Sequence, residues 1–242
     1  MVVCYNGINS GYEISERIRN IRVEINFTGD ICMNDFLSEK IIVPFLSGNI
    51  EKDVIDFFNA NGCEDTARHS IRVSQAAREL AMIYKVDAKS AWMCGLLHDT
   101  GRVLSDENKV ELLEVLSMEV LAQEYVNPGV LHQKVSAFMV KDIFDIDAKD
   151  ILSAVGCHST LKKNPSVMDM ILFVSDKLSW EDDRSLSWYE KMKKYSSVSL
   201  EKACYEYIKY FLKDADRKVI HPWILDAYYY LSEKVCDDLS IE

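Results

Sequence analysis

Only 4 prolines and 9 glycines occur in the 242 residues, too few for a collagen-like or low-complexity chain. No stretch approaches the ~18 consecutive apolar residues needed to cross a bilayer, and the amino terminus, MVVCYNGINS, has no basic segment leading into an apolar run as a secretion signal would. The seven cysteines are odd in number, scattered and never spaced C-x-x-C. That excludes a disulfide framework or a zinc knuckle and leaves them as reduced thiols filling the core. Basic residues are also in deficit, 28 Lys+Arg against 39 Asp+Glu for a formal charge of -11. A protein that wraps nucleic acid is thereby excluded, because such binding relies on Lys and Arg displacing counterions from phosphates. A small anionic substrate stays open, since a few cations or bound metals can reverse the field inside one cleft. The expectation is a cytoplasmic protein with neither a membrane nor a nucleic-acid polymer as partner.

What is present is 48% apolar residues, enough for a chain of this length to bury roughly 70% of its unfolded surface in one compact core. Two segments near the start read as extended. In IRVEINF, Ile21, Val23, Ile25 and Phe27 alternate with polar residues, the period of a half-buried strand, and IIVPFL from Ile41 to Leu46 is a second candidate. From about Glu51 the period becomes helical, so we divide the chain into an N-terminal extension, 1–50, with a strand or hairpin, and an all-helical body, 51–242. Helices are expected over 67–85, from a cap at Asp87 to Gly101, from His132 to Ile143, after a cap at Asp147, from Pro165 to Trp180, and near 185–195, 199–213 and 222–236.

Four of the five histidines fall on apolar helix faces. His69 shares a stripe with Val73, Ala76 and Leu80; His98 and Asp99 end the Asp87 helix; His132 leads a stripe through Val135, Ser136 and Met139; His158 follows Ile151, Ala154 and Val155. Asp176 shares a face with Asp169, Leu172 and Phe173. One buried histidine is ordinarily a satisfied core residue. Four of them with two inward carboxylates would be costly to bury unpaired, and a metal cluster removes that cost. Imidazole and carboxylate suit divalent metals such as zinc, iron, manganese or cobalt, and a site without thiolate ligands points to open positions for water and substrate rather than a closed structural zinc.

A lone His69, the pair His98-Asp99 inside GLLHDTGR, then His132, His158 and Asp176 in that order resemble the HD-domain metal-dependent phosphohydrolases, and most of all the YqeK-like branch of symmetrical diadenosine tetraphosphate hydrolases. The resemblance covers about Asp65 to Lys234 and not the first fifty residues. It implies a helical HD bundle holding two irons per chain, with His69, His98, Asp99 and Asp176 on one metal and His132, His158 and a bridging Asp99 on the other. It also implies cleavage of diadenosine tetraphosphate to two ADP through a hydroxide bridging the metals, with a homodimer allowed. Arg102 and Arg184 are the expected phosphate-binding cations, because a guanidinium offers paired donors to phosphate oxygens; Lys162 and Lys163 could add to them from the loop after His158.

The chain departs from the family pattern at Arg102, where a lysine is usual, along Gln133 to Ala137, in the turn Leu161 to Pro165, and in the segment Trp180 to Asp183 ahead of Arg184. Loops rather than ligands decide what fits beside the metals. Hydrolysis of other nucleoside phosphates, or a metal- and nucleotide-binding regulatory module with little turnover, are therefore the alternatives. Trp92, Trp180 and the Tyr228-Tyr229-Tyr230 run are read as packing.

Overall fold

The computed structural model describes residues 33–180, 186–213 and 219–239. Twelve α-helices run through them in chain order: α1 Met33–Lys40, α2 Ile50–Ala60, α3 Glu64–Tyr84, α4 Ala88–Leu97, α5 Asp106–Val115, α6 Ala122–Val126, α7 His132–Asp142, α8 Lys149–Cys157, α9 Val167–Leu178, α10 Tyr189–Ser196, α11 Leu200–Leu212 and α12 Pro222–Leu239. Two 3₁₀ turns, Thr100–Val103 and Pro128–Leu131, lead into the segments that follow α4 and precede α7. Among the described residues there is no strand, and no helix is long and apolar enough to cross a membrane.

Side-chain caps set several of the helix starts. Asp87 caps α4 by accepting from Lys89 N at 2.9 Å, Ser105 caps α5, and Ser199 caps α11, each satisfying an amide that the first turn leaves without a partner. Ser166 and Asp169 form a reciprocal capping box at the start of α9. Asp169 is fully buried because Ser153 and Lys162 satisfy its remaining oxygens. Long α3 begins with Glu64 and Asp65, whose charge favours a helix N-terminus, and stops at Lys85 in the left-handed region.

Three expectations need correction. The segment 41–46 is not a strand: Ile42 exchanges its backbone hydrogen bonds with the Asn61 side-chain amide rather than a neighbouring strand, and Pro44 has no amide to offer. Asp147 does not cap α8, which starts after Ala148 without a side-chain cap; it pairs with Lys141 at 3.2 Å instead. Pro165 precedes the Ser166 cap rather than occupying the first turn of α9. The IRVEINF candidate lies outside the described residues.

One apolar core joins these helices. Phe36, Leu37 and Ile41 contribute to it together with Phe57, Phe58, Val73, Leu97, Leu131, Ile151, Ile171 and Phe173, so α1 packs in the same core as the helices after residue 50. Helix α3 lies against α4 and α9, and α9 in turn against α8, α4 and α11. Two glycines allow the closest approaches. A methyl group at Gly95 would stand 2.4 Å from Ser74 Cα, and one at Gly101 would stand 2.6 Å from the His132 carbonyl oxygen. Gly101 N donates to Ser136 Oγ at 2.8 Å, which fastens the turn after Asp99 onto α7. These approaches carry His69, His98, Asp99 and His132 toward one point.

Candidate metal centre

The six residues come together in the interior although up to 107 positions separate partners in sequence. His69, His98, Asp99, His132, His158 and Asp176 are each at most 4% exposed. His69 Nε2 lies 2.9 Å from Asp176 Oδ1, and His98 Nε2 lies 3.3 Å from Asp99 Oδ2 and 3.6 Å from Asp176 Oδ1. On the other side, Asp99 Oδ1 is 3.2 Å from His132 Nε2 and 3.4 Å from His158 Nε2. The two oxygens of Asp99 thus face different imidazoles, as a carboxylate shared between two ions would.

Three of the imidazoles are oriented by the backbone. Nδ1 of His98, His132 and His158 meets the carbonyl three residues earlier, at Gly95, Gly129 and Val155, at 2.8, 2.6 and 2.8 Å. A carbonyl only accepts, so each Nδ1 carries the proton and each Nε2 turns a lone pair inward, the usual second contact of a metal-binding histidine. His132 Nε2 and His158 Nε2 then face each other at 2.9 Å. His98 Nε2 and Asp99 Oδ1 are buried with no hydrogen-bond partner. Converging lone pairs and an unpartnered carboxylate oxygen are expensive in a dry interior unless a cation joins them. Three overlapping sets, His69-His98-Asp99, His98-His158-Asp176 and Asp99-His132-His158, each bring ligand atoms within 4.8 Å of one another. The residues therefore fit a divalent metal centre of nitrogen and oxygen donors.

The electrostatics agree. Burial alone would raise Asp99, but the charge of His98 beside it holds its carboxyl well below the usual range. Asp176 is likewise held down, against burial, by Lys177 and His69. Burial lowers His132 and pushes His158 down to about 3, leaving both neutral. His98 is the exception: burial opposes its charge, yet Asp99 and Asp176 raise it to about 10. Without a metal, the two carboxylates draw a proton onto the one imidazole that lies between them.

Arg102 stands at the rim, with Nε 2.7 Å from Asp99 Oδ2, Nη2 3.4 Å from His132 Nε2, and a side chain 41% exposed. Lys162 is directed elsewhere: its ammonium meets Asp169 Oδ2 at 3.0 Å and Ser153 Oγ at 2.5 Å, and none of the six cluster residues. Lys163 is exposed on the same loop. Arg184 lies outside the described residues. The fifth histidine, His221, is not in the cluster and pairs with buried Glu124 at 3.1 Å.

Two residues that touch the cluster, Lys177 and Ser159, are not singled out by the sequence, and a third, Trp180, is read there only as packing. Buried Lys177 places Nζ 2.7 Å from Asp176 Oδ2. Trp180 stacks on the His69 ring, centroids 4.2 Å apart, and donates from Nε1 to Asp176 Oδ1 at 3.2 Å, so its reading as packing is incomplete. Ser159 brings Oγ to 3.0 Å from His132 Nε2. Trp180 had a signal in its i, i+4 spacing from Asp176; Lys177 and Ser159 adjoin ligands, a position that many inert residues share.

A helical bundle that gathers imidazoles and carboxylates at one buried point, with an arginine at the rim, defines a metal-dependent hydrolase of the all-helical class. Residues 66–181 match the model of the HD domain, and the chain belongs to that family. An uncharacterized protein of Lactococcus lactis subsp. cremoris is 37% identical over 142 residues, covering 59% of this chain and 72% of that one. A Staphylococcus aureus protein named symmetrical bis(5'-nucleosyl)-tetraphosphatase is 26% identical over 184 residues, 72% of this chain and 92% of the relative. Among solved structures, a Clostridium acetobutylicum protein described as a predicted HD superfamily hydrolase involved in NAD metabolism superposes with a TM-score of 0.70 at 25% identity, covering 79% of this chain and all of its own.

Proposed function

We propose that this protein is a nucleotide phosphohydrolase that cleaves diadenosine tetraphosphate symmetrically to two ADP. The observation that carries the reading is the inward convergence of the Nε2 lone pairs and the Asp99 and Asp176 oxygens beside a half-exposed guanidinium. The name of the Staphylococcus aureus relative supports the substrate. His69, His98, Asp99 and Asp176 would hold one ion and His132, His158 and Asp99 a second, with iron as the metal. Bound there, the ions supply Lewis-acid charge to phosphoryl oxygens and make water a nucleophile near neutral pH.

The chain's own residues do the rest. Arg102 is held by Asp99 through Nε and by His132 through Nη2, and its exposed remaining N–H groups would take non-bridging phosphate oxygens, with Arg184 as a second cation in this reading. ADP is already a fair leaving group, so neutralising charge matters more than a strong general acid. Lys177 holds one oxygen of Asp176 and Trp180 donates to the other, which fixes the carboxylate plane. The burial of all six residues keeps bulk water from competing at these donors. A cytoplasmic setting suits the reduced thiols.

The test is one anaerobic assay of protein prepared with ferrous iron, with metal counted per chain and diadenosine tetraphosphate products resolved by chromatography. Two metals and two ADP are expected. Two metals with orthophosphate or pyrophosphate as product would replace the substrate assignment, two metals without cleavage of any nucleotide would refute the hydrolase, and no metal would refute the centre.

A further inference from the structure

A cavity of about 160 Å³ opens beside the cluster, between the α6–α7 region on one side and α9, α11 and α12 on the other. Phe173, Tyr207 and Phe211 supply aromatic walls. Gln123 and Asn127 supply carboxamides that no hydrogen bond occupies among the described residues. Ser159 belongs to the wall and lies 3.0 Å from His132 Nε2 through its hydroxyl, so the cavity adjoins the His132 side of the centre.

We infer that this cavity is the subsite for the purine base of the nucleotide, with Gln123 and Asn127 reading the base edge and the aromatic walls taking its faces. The inference rests on the phosphohydrolase reading and adds where the nucleoside goes. Size restricts the occupant: a buried cavity of about 150 Å³ accommodates one benzene ring, so a slightly larger pocket with one open side takes a single flat heterocycle. Chemistry restricts it further. Aromatic side chains stack on any base, and a carboxamide, with donor and acceptor side by side, is the group that matches the amino and ring nitrogens of adenine.

The wall is preorganised. His221 Nε2 meets Glu124 Oε1 at 3.1 Å, Lys134 Nζ meets Glu124 Oε2 at 2.7 Å, and Trp223 N donates to His221 Nδ1 at 3.2 Å. This buried network ties the start of α12 to α6 and α7, so little has to be ordered when a ligand enters. It also accounts for the one histidine outside the cluster.

The test is calorimetric titration of the manganese-loaded protein with ADP and, separately, with pyrophosphate, which shares the phosphates and lacks the base. ADP should bind at least tenfold more tightly. Ile224 lines the cavity from α12, and Ile224→Trp, which fills it, should reduce that ratio to near one. Should that variant fail to fold, Gln123→Ala and Asn127→Ala remove the two carboxamides that line the cavity and should each lower the ratio severalfold. Equal binding of ADP and pyrophosphate to the unmodified protein, or a ratio untouched by all three variants, would overturn the base subsite and leave the hydrolase reading intact. Absence of binding by either ligand would overturn both.

Discussion

Gly95→Ala tests the geometry that delivers the histidines. In isolation this change favours a helix, by about 1 kcal/mol. In the fold, the new methyl carbon would stand 2.4 Å from Ser74 Cα, 2.5 Å from Ser74 N and 2.8 Å from Val73 C, all backbone atoms that cannot rotate away. Reaching the 3.4 Å of ordinary contact requires α3 and α4 to separate by about 1 Å at this crossing. Overpacking of that kind costs up to about 3 kcal/mol. The net loss is then about 2 kcal/mol, which for a chain of this size lowers Tm by about 4–8 °C. Because α3 carries His69 and α4 leads into His98 and Asp99, the same displacement should weaken metal retention. Calorimetric melting and metal content after dialysis read the two effects. Gly156→Ala is the comparison: its methyl would meet only Ala137 Cβ, at an ordinary 3.5 Å, so the helix preference should prevail and raise stability by up to about 1 kcal/mol. A Gly95→Ala protein that melts no lower than the parent and keeps its metal would refute the reasoning.

Four other outcomes follow from the centre and its surroundings. Asp99→Ala should lose bound metal and hydrolysis while keeping the helical circular-dichroism signal, and retained metal would show that Asp99 is not shared between ions. His98, raised to about 10 in the metal-free protein, must give up its proton to bind an ion, so metal affinity should rise about tenfold per pH unit through neutrality; a flat profile in calorimetry across buffers would contradict this. Trp180→Phe keeps a ring against His69 but loses the donor to Asp176, and should weaken metal binding about tenfold, with Trp180→Leu weaker still; parent-like affinity in both would remove Trp180 from the centre. Glu124 is held below the ordinary glutamate value of 4.5, against burial, by His221, the Leu121 amide and Lys134. Its stabilisation is therefore full above that pH and lost as pH falls through the depressed value. Glu124→Gln should cost about 1–3 kcal/mol at pH 7 in urea unfolding, with the gap to the parent narrowing in acid; a gap that widens in acid would reverse the sign assigned here.

The helical body and the six cluster residues were legible in the sequence because both follow from short-range repeats. Stripes at i, i+3, i+4 and i+7 aimed His69, His132 and His158 inward, and the cap at Asp87 marked a real helix start. The one extended pattern that falls within the described residues failed because it has no partner strand. The run 41–46 has the apolar residues of a strand, but its backbone finds Asn61 instead. Lys162 shows the same limit, since a loop lysine four residues beyond His158 can face a phosphate or a buried carboxylate, and Asp169 decides between them.

The sequence by itself determined that the chain is helical, that four imidazoles and two carboxylates face its interior, and that such a donor set calls for metal. Tertiary structure alone decided which oxygen of Asp99 meets which imidazole, that Lys177 and Trp180 flank Asp176, and that a cavity lined by Gln123, Asn127 and Ser159 adjoins His132. The physical reason is range. Helix periodicity and capping act over a few residues, whereas the site is set by distances between segments up to 107 positions apart, and those distances are fixed by how closely backbones such as Gly95 and Ser74 can approach.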